Sequence, residues 1–147
     1  MVWLLWLIAL ATGAANPFQS GTNAELNRQS GQPIWTALIV YAMGFTGLLL
    51  VQIIFRPAVP PLERLRTVHW WAWFGGLISI APTLAGVTLA QRLGSGAFTG
   101  LSITAAIVTS VCIDHFGLIG FRHHAASPER VIGCTLMILG VWLVARF

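Results

Sequence analysis

MVWLLWLIALATGAANPFQSGTNAEL, residues Met1–Leu26, decides the fold. To about Ala15 the stretch is apolar, and its full length is enough to cross the ~30 Å hydrocarbon layer as a helix. Polar residues then recur on a strict spacing. Thr12, Asn16, Gln19 and Asn23 fall at i, i+4, i+7 and i+11, which puts all four on one helical face. Amides in hydrocarbon without partners are costly. That face must therefore look at another helix or at a water-filled path. Pro17 has no N–H and frees a carbonyl near Thr12 and Gly13, which predicts a kink within the stripe. The stretch ends its apolar part in small residues, as a secretion signal would, but it lacks a basic leader, so it is read as a retained span.

Composition supports the same class outward from this stretch. Of 147 residues, 56% are hydrophobic and 8% charged, whereas soluble domains carry roughly 25% charged residues. A soluble globule and a disordered chain are excluded. The net charge of +4 comes from scattered arginines without a basic run, so no nucleic-acid partner is expected. Cys112 and Cys134 lie inside apolar runs and read as packing residues.

Four more apolar runs succeed it, at about 34–55, 68–90, 97–121 and 131–146, separated by short polar connectors. The reading is an all-α polytopic membrane protein, one five-helix transmembrane domain over 1–147 with its first helix at 1–26. Five spans place the termini on opposite sides of the bilayer. Arg56, Arg64, Arg66, Arg122 and Arg130 then share the N-terminal side, and Arg28, Arg92 and Arg146 the other. This arginine bias is weak and permits insertion both ways round.

Several constellations carry possible chemistry. The amide stripe is either a transport path or interhelical hydrogen-bond glue. Asp114 is the one acid within an apolar run, and His115 is next to it. An intramembrane acid beside a histidine marks a proton or cation pathway. The rival reading is an interfacial carboxylate paired with an arginine, about two turns from the helix end. Gly96 and Gly100 form a GxxxG pair, and Gly75, Gly76 and Gly133 are further small residues for close helix packing, Gly75-Gly76 also as a hinge. Most of the seven tryptophans suit interfacial belts, while Trp73 lies deeper and suits either packing or a cation cage. There is no phosphate-binding glycine loop and no His/Cys set with metal spacing, so neither an enzyme, a cofactor nor a metal is expected.

The run Gly13-Ala14-Ala15-Asn16-Pro17-Phe18-Gln19-Ser20-Gly21-Thr22-Asn23-Ala24-Glu25-Leu26 resembles the first-helix signature of the YdcZ-type proteins, a five-helix branch of the drug/metabolite transporter superfamily. Trp73-Phe74-Gly75-Gly76-Leu77, Ile113-Asp114-His115-Phe116-Gly117 and Arg130-Val131-Ile132-Gly133 resemble later stretches of the same family, in order. Ser79-Ile80 departs from it, since the family more usually has a glycine and a small residue there. The resemblance implies a bacterial inner-membrane exporter of a small molecule, half of a ten-helix inverted-repeat assembly. An odd span number and a weak arginine bias suit an antiparallel homodimer, or a hetero-pair with a homologous five-helix protein, working by alternating access. Asn16, Gln19, Asn23 and Trp73 are then expected along the path, and Asp114 and His115 at the coupling step. A passive channel on the same plan, or a non-transporting membrane subunit, are the competing expectations.

Overall fold

The computed structural model describes residues 2–147; the first expected span begins at Met1, outside the described residues. The helices are α1 (Val2–Ser30), α2 (Pro33–Phe55), α3 (Leu62–Arg66), α4 (Gly75–Ile78), α5 (Ile80–Leu93), α6 (Ser95–Phe116) and α7 (Pro128–Arg146), with 3₁₀ turns at Trp70–Phe74 and Leu118–Gly120. Five stretches are long and apolar enough to span a bilayer: α1, α2, Trp70–Leu93, α6 and α7. Among the described residues there is no strand. The chain is all-α with five candidate transmembrane helices.

Local chemistry sets where these helices stop. Arg56 closes α2 in the left-handed region, its N–H bonded to Gln52 O at 2.9 Å, and Pro57 forbids continuation. α6 ends at Phe116, short of the expected 121, because Gly117 turns left-handed (φ 60°) and its N–H bonds back to Asp114 O. α7 begins earlier than the expected 131. Ser127 caps it, accepting from the N–H of Arg130, and Pro128 occupies the first turn, where no N–H is needed. A short helix, α3, forms within the connector before the third span.

A helix over 68–90 is the expectation; the span runs Trp70–Leu93, opening with a 3₁₀ turn and loosened between α4 and α5, where Ser79 keeps helical backbone angles and bonds through Ser79 N–H to Gly75 O and Thr83 N–H to Ser79 O, both at 3.2 Å. Pro82 explains the position, because it has no N–H for the carbonyl of Ile78 four residues back. By contrast, α1 runs through Pro17 as one helix.

The described chain divides into two compact units, Gln19–Leu89 and residues 2–18 with Ala90–Phe147. In the first, the buried side chains are small: Ala24, Thr36, Ala37 and Val87. In the second, α6 and α7 pack antiparallel. Gly96 lies against Val144 and Gly100 against Val141 at one end, and Asp114 meets Arg130 at the other. Large apolar side chains such as Leu5, Ile54 and Leu136 are exposed. In water such surface would aggregate, whereas in a bilayer lipid tails cover it at no cost, and helices associate through small residues and polar contacts instead.

Candidate functional site

α1 presents the stripe, and its members divide by what they touch. Thr12 Oγ1 donates to its own helix, at Ala9 O (2.9 Å) and Ile8 O (3.0 Å). Among the described residues, the amides of Asn16, Gln19 and Asn23 find no hydrogen-bond partner within the chain, and Asn16 and Gln19 are exposed. α1 continues past the expected Leu26, and the same face gains Asn27 and Ser30. These two are engaged. Asn27 Nδ2 donates to Val87 O of α5 at 3.2 Å, and Ser30 Oγ meets the fully buried Thr36 Oγ1 of α2 at 2.7 Å. The end of the stripe is thus interhelical glue, while its middle is left unpartnered. Asn27 Oδ1 is buried without a donor.

The loosened turn of the third span carries a second polar constellation. Tyr41, the single tyrosine of the chain, reaches from α2 to Ser79 Oγ (2.7 Å) and Thr83 Oγ1 (2.9 Å). Ser79 Oγ also donates to Gly76 O at 2.6 Å, and Thr83 Oγ1 to Ser79 O at 2.9 Å. This is the ordinary back-bonding of hydroxyls to carbonyls three and four residues earlier, and it does not reach the Ile78 carbonyl that Pro82 leaves without its usual donor. Sequence reading passed over Tyr41 and Thr83 and took Ser79 only as a departure from the family. The available signals were Pro82 in mid-span and hydroxyls at 79 and 83, one turn apart.

At the junction of α6 and α7, Arg130 Nη2 lies 2.9 Å from Asp114 Oδ2, with both side chains partly exposed. Arg130 Nη1 is buried without an acceptor. His115 Nδ1 accepts the N–H of Ala126 at 3.1 Å, so this nitrogen carries no proton and the neutral ring has its hydrogen on Nε2. His124 N–H bonds to Asp114 O at 2.9 Å, and the His123 ring stands 6.2 Å from that of His115. The connector is thereby folded back on the end of α6.

Of the remaining sequence candidates, Gly76 supplies the carbonyl that accepts from Ser79 Oγ. Trp73 sits exposed in the 3₁₀ turn that opens the third span. A methyl group added at Gly75, Gly76 or Gly133 would meet nothing within 4 Å, whereas one at Gly100 would come within 2.5 Å of Val141 Cγ2. An open groove of about 420 Å³ lies beside Pro17, walled by Gly96, Thr99 and Thr104 of α6 and Met137 and Val141 of α7. None of Asn16, Gln19 or Asn23 lines it. Among the described residues no group of His, Cys, Asp and Glu is arranged to hold a metal.

Residues 4–143 match the family model described as "Putative inner membrane exporter, YdcZ". The chain belongs to the YdcZ family. The inner membrane protein YdcZ of Escherichia coli (strain K12) is 25% identical over 84 residues, 57% of this chain. That match spans 56% of the relative's own length. No solved structure matches the chain. As a YdcZ-family member it is an inner-membrane protein, and the family's description is that of an exporter rather than an enzyme.

Proposed function

We propose that this chain is one half of a small-molecule exporter that works by alternating access, two five-helix chains inserting antiparallel around a shared path. One observation carries the reading: Asn16, Gln19 and Asn23 present amides without partners among the described residues, on one face of a membrane-length helix. Neutral donors and acceptors at bilayer depth need water, a substrate or a second chain against them. A second copy inserted in the opposite sense puts the two stripes on either side of one path, and the weak arginine bias allows both insertions. Trp73 would offer this path an aromatic face.

Coupling to a proton or cation belongs to the same reading, with Asp114 and His115 as the candidate groups. Each is tied to a partner, so exchange there has to displace Arg130 from the carboxylate or Ala126 N–H from His115 Nδ1.

The test begins with a stabilisation screen of the detergent-purified chain against amino acids, drug-like amines and simple cations, since a ligand of the folded state raises its apparent stability. Flux of the best-stabilising molecule is then measured in proteoliposomes. Saturable flux that falls at least tenfold in Gln19→Ala and Asn23→Ala supports the exporter. Fast, unsaturated conductance identifies a channel, and flux unchanged in both variants removes the stripe from the path.

A further inference from the structure

Ser79, in the turn where Pro82 removes one helical rung, sits near the middle of its span, nine residues into the 24 of Trp70–Leu93. Tyr41 is equally deep, the ninth of 23 residues in α2. They therefore lie roughly 12–16 Å from their helix starts, close to the bilayer midplane. Midplane helix breaks with unpaired carbonyls are where ion sites are built in membrane transport proteins.

The protons at this point do not match the oxygens. Tyr41 Oη, Ser79 Oγ and Thr83 Oγ1 make four short contacts among themselves and with Gly76 O and Ser79 O, all between 2.6 and 2.9 Å. Three hydroxyls hold three protons, and the carbonyls have none to give. Whichever way the hydroxyls turn, one contact goes without a proton. The carbonyl of Ile78 adds a further acceptor, since Pro82 cannot supply its usual helical donor. The cluster is rich in acceptors and short of donors, which is the complement of a positively charged group.

We propose that Tyr41 Oη, Ser79 Oγ, Thr83 Oγ1 and the Ile78 carbonyl form a midplane site for a small monovalent cationic group, either free sodium or a primary ammonium. This rests on the exporter reading and names a coupling or substrate group for it. The chain's four acids, Glu25, Glu63, Asp114 and Glu129, take no part in these contacts. A cage of neutral oxygens compensates the dehydration of a monovalent ion but not that of a divalent one, whose ligands include carboxylates. Asp114 is paired with Arg130, whereas the contacts described for these three hydroxyls are to one another and to backbone carbonyls.

Thermal unfolding of the detergent-purified full chain tests this, with sodium chloride or methylammonium chloride titrated in and ionic strength held with N-methylglucamine chloride. The wild type should gain about 3 °C or more at saturation. Tyr41→Phe should lose that gain. Pro82→Ala, which returns an N–H to the Ile78 carbonyl, should lose or weaken it without lowering baseline stability, so a folding defect in Tyr41→Phe does not hide the result. A rise with sodium alone identifies the free ion, and a rise with methylammonium identifies an ammonium group; magnesium should reproduce neither. No rise with either cation, or an equal rise in wild type and both variants, overturns the site. Because the readout is binding, its failure with flux intact removes this site alone. Flux that is indifferent to Gln19 and Asn23 while the cation shift persists removes only the exporter path.

Discussion

Arg130 Nη2 and Asp114 Oδ2, 2.9 Å apart, tie the first turn of α7 to the last turn of α6. The sequence offered two readings of Asp114, an ion pathway or an arginine-paired carboxylate, and the geometry supplies the arginine. Both side chains keep part of their surface open, so the pair stabilises by only about 1 kcal/mol. Asp114→Asn should therefore lower the Tm by a few degrees, as should Arg130→Gln. The double variant should lose less than the sum, which thermal unfolding across the full mutant cycle measures.

Gly100 and Val141 set how closely α6 and α7 approach. Gly100→Ala places a methyl within 2.5 Å of Val141 Cγ2 and should cost about 1–3 kcal/mol. Val141→Ala in the same chain should restore most of that loss. Gly133→Ala meets nothing within 4 Å and should leave the monomer's unfolding unchanged. Any effect of Gly133→Ala on cross-linking between chains would then report contact with a second copy.

Two asparagines one turn apart should behave oppositely. Asn27 holds Val87 O, so Asn27→Leu should destabilise by about 1 kcal/mol in thermal unfolding. Asn23 has no such partner, so Asn23→Leu should leave the Tm unchanged while reducing flux. Destabilisation by Asn23→Leu equal to that by Asn27→Leu would make the whole stripe glue.

The weak arginine bias governs insertion. A C-terminal reporter should show both orientations in the native chain, and one added arginine beside Arg92 should shift that population severalfold. A reporter fixed on one side, with or without the added arginine, would favour a hetero-pair over a self-pair.

The helices were legible because apolar length alone separates membrane spans from connectors. Their ends were less so: Gly117 stops α6 early and Ser127 starts α7 early, cap chemistry that hydropathy does not weigh. The stripe was legible from its spacing, but its division was not, since whether Asn23 or Asn27 meets a carbonyl depends on where α5 lies. The loosened turn at Ser79 was not legible because Pro82 stands within a strongly apolar run. Pro17 and Pro82 remove the same kind of hydrogen bond; α1 is one helix through Pro17, while the third span is loosened at the turn between α4 and α5.

Cysteine reactivity addresses the central claim, that the middle of the stripe meets water at bilayer depth. In a chain with Cys112 and Cys134 replaced by serine, single cysteines at positions 16, 19 and 23 are exposed to a membrane-impermeant thiol reagent in proteoliposomes, with position 7 as the lipid-facing control. The account predicts labelling at all three stripe positions and none at 7. Stripe positions as unreactive as position 7 would contradict it.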